Sequence, residues 1–475
     1  MTSTTNGVIW SAIERFSVQG IQFLLSIVIA RLITPEEYGL LAMLAIFMAV
    51  AQTFVDSGFG NALIQKKDRN STDYSTVFYF SVATACVLYG VLYLAAPLIS
   101  DFYHQPQLTL ITRWFGLNLI LMSLSLVQRT KLSIELDFKT QTKISLVAVI
   151  VSGAVGIIMA YKGFGVWALV VQGLGNNLIS SLLFWFASRW QPMLVFSTES
   201  FRRLFSFGSK LLMSGLLHTI YLNLYSLVIG RVYNAQDVGY YNRAYSISQY
   251  PSVNIVTVMC RAIYPVQCEH QNDDKWLEES FTRYLRMGCY IIFPMMTLLA
   301  IISRPLVSIV LTDKWLPAAD LISILCLAYM WYPVMVFNNQ ILNVKGRSDL
   351  FLRAEIIKKV VAIAILFATL PFGLKWLCWG VLIYNLFDMG LIIHYVKMVM
   401  KTGYLRQFKS ITGIFLMTCL CMLVSCFCMV LCKSLVIELL VSIVVFSLMY
   451  LLLSRSLKIN EYFELTHILS RIKHD

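Results

Sequence analysis

Seven arginines of this chain lie where an ionised side chain is expensive. Of its 38 Lys and Arg residues, 31 are assigned to loops and run edges, and the seven that remain, Arg15, Arg31, Arg113, Arg231, Arg243, Arg261 and Arg304, fall within long apolar runs with no lysine among them. A charge at membrane depth costs at least about 2.5–3.5 kcal/mol, so it faces water or a partner. The guanidinium stays charged and grips phosphate through two parallel N–H bonds, which suits a site that must hold a diphosphate in a low dielectric. Arg15 is the first candidate, because it sits seven residues past Val8, roughly 10 Å into its run at 1.5 Å per residue. Arg243 is the second, since the surrounding GYYNRAYSISQY reads as a face toward a polar ligand and not toward lipid. A structural reading stands beside this one. All but Arg15 lie within about two turns of a run end and could snorkel to the interface. Arg31 and Arg231 could cap the last turn of their helices and pair with Glu36, Glu37 or Asp237.

Acids at the same depth are fewer: Glu14, Asp56 and Asp388. Each could exchange a proton or sodium during a transport cycle, or could only neutralise an arginine. Amides are frequent in the apolar runs, among them Gln19, Gln52, Asn223, Gln249, Asn254 and Asn339. Some serve as interhelical glue, and their number suggests a wide hydrated cavity able to hydrogen-bond sugar hydroxyls. Enzyme chemistry finds no support: there is no Walker A loop, no GxSxG elbow and no HExxH. The six histidines are scattered singly, so no metal or other cofactor is expected. The cysteines at 419, 421, 426, 428 and 432 match no zinc spacing and read as packing residues.

The elements that position these residues follow from composition. The chain is 58% hydrophobic and 13% charged with a mean hydropathy of +0.71, against about 25% charged in soluble domains. Apolar runs of roughly 20 residues, enough to cross about 30 Å of hydrocarbon, number fourteen: 8–33, 39–63, 74–100, 108–128, 143–161, 165–187, 207–232, 238–264, 285–311, 317–342, 357–374, 376–396, 410–432 and 435–454. Charge supports the count. One set of alternate loops holds 27 Lys and Arg, while the other holds Lys162, Lys314, Lys375 and Lys433, which places both termini in the cytoplasm. The formal net charge of +13 is then topology plus attraction to membrane lipids, and nucleic acid need not be invoked. The first run lacks a basic n-region and a cleavage site, so it is expected to stay as an anchor.

The chain also repeats itself. SIVIARLITPEEYG at 26–39 recurs as SLVIGRVYNAQDVG at 226–239, an offset of 200 without a gap. Internal duplication in an apolar chain is a transporter signature. Between the copies, FSTESFRRLFSF at 196–207 reads as an amphipathic surface helix, with Phe201, Leu204 and Phe205 on one side. The stretch 266–286 is the most polar and again ends amphipathic.

The segments ARLITPEEYGLLAML, DSGFGNALIQKKD, STVFYFS, GRVYNAQDVGYYNRAYSI, RAIYPV and NVKGRSD resemble the polysaccharide transporter branch of the multidrug/oligosaccharidyl-lipid/polysaccharide exporter superfamily, the Wzx-type O-antigen and capsule flippases. The resemblance spans most of the chain. It implies an all-α polytopic fold of two six-helix lobes around a V-shaped cavity, here residues 1–200 and 201–400, with 401–475 adding a helix pair and a cytoplasmic tail. It further implies a secondary transporter, not an enzyme, in the bacterial inner membrane. The expected cargo is an oligosaccharide on undecaprenyl diphosphate, and polysaccharide polymerase and chain-length machinery are candidate partners. A lipid II-type flippase and a MATE-like small-molecule exporter remain alternatives, the latter disfavoured by the excess of arginines over acids. A membrane polymerase or glycosyltransferase would require a long external loop carrying catalytic groups, and the loops on that side are short.

Overall fold

In hydrocarbon every backbone N–H and C=O must be paired within its own segment, so apolar runs of this length become helices. The computed structural model describes the backbone of residues 2–400, 402–432 and 434–472, and the side chains from Ser17 onward except at 207, 210, 468, 469 and 471–472; the described residues contain no strand. Two compact units divide the chain, Met1–Gly239 and Tyr240–Asp475. The first holds α1 (Thr2–Leu32), α2 (Pro35–Asp56), α3 (Phe59–Gln65), α4 (Ser71–Tyr103), α5 (Gln107–Phe115), α6 (Leu117–Ile134), α7 (Phe138–Tyr161), α8 (Val166–Ser188) and α9 (Thr198–Val232). The division falls within α10 (Ala235–Glu269). The second unit continues with α11 (Asp274–Ile301), α12 (Ser303–Leu311), α13 (Leu316–Tyr329), α14 (Tyr332–Val344), α15 (Ser348–Thr369), α16 (Leu374–Val399), α17 (Tyr404–Val430), α18 (Leu435–Ser456) and α19 (Asn460–Ile472).

The chain is a multi-pass, all-helical membrane protein. Among the described residues, eleven helical stretches are long and apolar enough to cross a membrane, against fourteen expected. Of α1, the described side chains give the apolar stretch Ser17–Leu32. α10 carries Arg243, Arg261 and two internal prolines, and α15 carries Glu355, Lys358 and Lys359 within its apolar stretch, which keeps both out of the eleven. Three of the expected spans carry an interruption in the helix while remaining single long stretches. The 39–63 run breaks at Ser57–Gly58, both with positive φ (42° and 68°), the 108–128 run at Gly116, and the 317–342 run at Met330–Trp331.

The sequence repeat marks two helix starts. Thr34 and Glu37 form a reciprocal capping box, with Glu37 Oε2 accepting from Thr34 N at 2.7 Å and Thr34 Oγ1 from Glu37 N at 3.3 Å. At the equivalent position Asn234 Oδ1 accepts from Asp237 N at 2.8 Å. One turn on, the two equivalent glycines meet. A Cβ on Gly39 would overlap the Ala235 carbonyl and lie 3.0 Å from Gly239 N; a Cβ on Gly239 would overlap the Pro35 carbonyl and lie 3.3 Å from Gly39 N. Glycine at both places therefore lets backbone touch backbone within the first unit.

The amphipathic segment at 196–207 is not a separate surface helix. Ser197 caps α9, accepting from Ser200 N at 3.2 Å, and the helix runs on unbroken to Val232 because nothing between the cap and the apolar run interrupts it. Its pattern is nonetheless as read. Leu204 is buried in a cluster with Phe59, Phe78 and Trp190, with Phe201 packed against it, while Arg202 and Arg203 are exposed. In the second unit Phe281, Phe293, Trp315, Phe337 and Phe446 are among the largest buried side chains.

Candidate functional site

In the first unit α2 and α9 pack along a seam where small residues admit close approach. Thr53 Oγ1 lies 3.2 Å from Thr219 Oγ1, and Asn223 donates its amide to Thr219 O at 2.9 Å. One position before Thr53, Gln52 donates to Asp56 Oδ1 at 3.1 Å. Its own carbonyl, Gln52 Oε1, is sealed from solvent and accepts nothing. The cation acting on Asp56 is Arg129 of α6. Of the residues picked from sequence, Gln52 and Asp56 are thus paired along α2, and Asn223 bonds within α9 to the Thr219 carbonyl beside the Thr53–Thr219 contact.

Arg113 lies elsewhere in this unit. Its guanidinium sits 4.4 Å over the Tyr93 ring, a cation–π contact, and its Nε makes no hydrogen bond. Close along the chain, Asn177 donates to Asn118 Oδ1 at 2.7 Å, and the buried Asn176 Oδ1 accepts nothing. Arg31 and Arg231 are exposed in the last turns of α1 and α9. Arg231 Nη1 lies 2.6 Å from His104 Nε2, and its guanidinium 5.2 Å over Phe102. Gln19 is half-buried on α1. Glu14 and Arg15 fall among side chains outside the described residues.

In the second unit α10 presents Tyr241, Tyr245 and Gln249 at four-residue spacing, so they share one face. The first two rings stack at 5.9 Å, and Tyr245 meets Tyr329 of α13 edge-on at 5.9 Å. Ser252, one turn further, donates to Tyr329 O at 2.9 Å. Arg243 on the same helix is buried, at 6% exposure. Gln249, Asn254 and Asn339 are half-buried, with Asn339 Oδ1 accepting nothing. A buried arginine on a helix of tyrosine hydroxyls and amides can bind an anionic, hydroxyl-rich ligand. Arg261 is exposed on α10. Arg304 is 73% exposed on α12 and pairs with Asp320 at 3.5 Å.

One charged group escaped the sequence reading. Lys358 lies at the edge of an apolar run and looks like a loop residue, yet its side chain is 3% exposed, 2.9 Å from Glu355 and 3.0 Å from Asp388. The available signal is the Glu355–Lys358 spacing of three, which puts opposite charges on one helical face, together with an acid at 388 still lacking a cation. Outside the spans, in the NVKGRSD segment, Arg347 donates to both Asp349 oxygens at 2.8 Å. That fork holds the Asp349 carboxyl down to about 2.

Residues 28–320 match the family model described as "Polysaccharide biosynthesis protein". The chain is 26% identical over 347 residues to the teichuronic acid biosynthesis protein TuaB of Bacillus subtilis (strain 168), covering 73% of this chain and 72% of that protein. It is 26% identical over 357 residues to the lipopolysaccharide biosynthesis protein WzxC of Escherichia coli (strain K12), covering 75% and 73%. Among solved structures it resembles the lipid II flippase MurJ in an inward closed conformation, with a TM-score of 0.71 at 15% identity over 94% of this chain and 99% of that one. An inward-facing multidrug resistance MATE family transporter of the MOP superfamily aligns with a TM-score of 0.60 at 16% identity, over 82% and 98%. At such identities these two likenesses establish the fold.

Proposed function

The chain belongs to the polysaccharide biosynthesis protein family, and from that premise we propose that it is a flippase for lipid-linked oligosaccharides. It turns repeat units carried on a polyprenyl diphosphate from the cytoplasmic to the periplasmic leaflet of the bacterial inner membrane, for assembly into O-antigen, capsule or exopolysaccharide. Relatives named for teichuronic acid and lipopolysaccharide biosynthesis support the cargo class. The alternation of basic and nearly charge-free loops supports fourteen spans with both termini cytoplasmic, arranged as repeats at 1–200 and 201–400 with 401–475 appended.

The observation that carries the reading is Arg243, a buried guanidinium on the helix that bears Tyr241, Tyr245 and Gln249. In the proposed mechanism Arg243 holds the diphosphate, because a permanent planar cation binds it without a proton to lose, and Arg15 is a second candidate cation by sequence. The tyrosines and amides satisfy the sugar hydroxyls. Arg31, Arg113, Arg231, Arg261 and Arg304 guide the anion at the span ends, and Gln52, Asp56 and Asn223 line a second polar face. The protein performs no bond chemistry on its cargo.

The test is made in cells that depend on this chain for surface polysaccharide. Arg243 and Arg15 are each replaced with Lys, Gln and Glu, membrane levels are matched, and surface polymer and lipid-linked precursor are quantified. Gln and Glu are expected to abolish polymer and accumulate precursor, with Lys restoring part of both. Unchanged polymer and precursor in every variant would overturn the assignment.

A further inference from the structure

Resting on the flippase reading, we propose that Glu355, Lys358 and Asp388 form the site at which the chain binds and releases a proton during transport, with Lys358 as a tethered counter-cation shared by two acids. Lys358 and Glu355 stand one turn apart on α15, and Asp388 faces them from α16. The ammonium directs its hydrogen bond to Glu355 Oε1 at 2.9 Å and lies within ion-pair distance of Asp388 Oδ1 at 3.0 Å. Asp388 Oδ1 itself is sealed from solvent and accepts no hydrogen bond. Exposure rises along the cluster, from 3% at Lys358 and 12% at Asp388 to 33% at Glu355 and 38% at Lys359. The charges thus lead from a buried end to an accessible one.

The second acid makes titration feasible. In an isolated buried pair, protonating the carboxylate strands an ammonium in low dielectric, at a cost that keeps the pair ionised. Here one proton from water adds to Asp388, the carboxylate becomes a neutral acid, and Lys358 keeps its charge and its bond to Glu355. Release is the reverse, with Lys358 returning to the ionised Asp388. An external metal cation would have to displace an ammonium already within 3.0 Å of both acids, so the ligand of this site is the proton.

The charged groups acting most strongly on Asp388 are Lys358, Glu355 and Lys359, all on α15. Of the other helices packed on α16, α13 carries Asp320, which Lys375 of α16 holds at 2.6 Å. α14 carries Tyr332, and α17 carries Tyr404, Arg406 and Lys409 in its first two turns; α16 itself adds Tyr384, His394, Tyr395 and Lys397. One turn before Asp388, Asn385 donates to Ala328 O at 3.0 Å. The next residue, Tyr329, accepts from Ser252 and packs on Tyr245. A charge change at Asp388 therefore has a contiguous path to the helix of Arg243.

The test uses the full chain in proteoliposomes with an undecaprenyl-diphosphate-linked oligosaccharide and a transmembrane pH difference. Carboxyl protonation is followed in parallel by infrared difference spectroscopy without substrate. With one proton per cycle, each pH unit shifts the steady-state distribution of cargo by about tenfold. Wild type is expected to show that shift and a titrating carboxyl band. Asp388→Asn should lose both, and Glu355→Gln, which removes the alternative seat for Lys358, should move the band to lower pH. The double variant Lys358→Met/Asp388→Asn removes the pair without stranding a charge and should lose the shift; if it fails to fold, Lys358→Leu/Asp388→Leu replaces it with the same expectation. A full shift in either double variant, or a wild type with cargo movement but no shift, overturns the proposal. If wild type moves no cargo at any pH while the band titrates and vanishes in Asp388→Asn, the flippase reading fails and the proton site stands.

Discussion

Replacing Gly39 with Ala adds a single methyl where two backbones touch. That methyl would overlap the Ala235 carbonyl oxygen and lie 3.0 Å from Gly239 N, and backbone cannot yield as a side-chain tip can. The two helix starts must separate, and overpacking of this kind costs about 1–3 kcal/mol. The control is Gly90→Ala, inside α4, where a Cβ would meet nothing within 4 Å. There the same change should stabilise by about 0.5–1 kcal/mol through helix propensity. The two variants should therefore differ by about 1.5–4 kcal/mol, read by equilibrium unfolding in mixed micelles. Gly239→Ala should behave like Gly39→Ala, because its Cβ overlaps the Pro35 carbonyl. The double variant should cost less than the sum, since one separation relieves both clashes. A Gly39→Ala protein as stable as Gly90→Ala would refute the backbone-contact argument.

Two further outcomes test other parts of the structure. Asn338 of α14 and Gln407 of α17 exchange amide bonds at 2.9 Å in both directions while buried; Asn338→Leu should destabilise by about 1–3 kcal/mol, and the double Leu variant should recover most of it, in the same unfolding assay. The Asp349 carboxyl, held at about 2 by Arg347, has a depressed folded pKa. Its small contribution is then present above the unfolded value of about 3.9 and lost as pH falls toward about 2. Carboxyl NMR of labelled protein should show that midpoint, and Arg347→Ala should return it to the ordinary range.

The residues that were legible in advance are those whose role depends on local pattern. The repeat at 26–39 and 226–239 reads as a duplication, and in the structure it marks two equivalent helix starts, because capping chemistry and a glycine one turn later are local requirements. The polar, aromatic neighbours of Arg243 read as a face turned toward a polar ligand and not toward lipid, and in the structure its side chain is buried. Lys358 was not legible in the same way. At the edge of an apolar run a lysine can lie in a loop, snorkel or turn inward, and the choice depends on Asp388, which is thirty residues away in sequence and on another helix. Apolar length alone likewise does not register the prolines of α10 or the charges gathered in α15.

Composition, the spacing of apolar runs and the loop charge pattern by themselves determined that this chain is an all-helical, multi-pass membrane protein. Hydrocarbon leaves the backbone one economical way to satisfy its hydrogen bonds, and that constraint acts segment by segment. Tertiary structure alone decided which polar groups meet: Thr53 with Thr219, Asn338 with Gln407, and Lys358 with Asp388. Such partners are fixed by how helices pack side by side, and the cost of burying a charge is set by the neighbour it finds there.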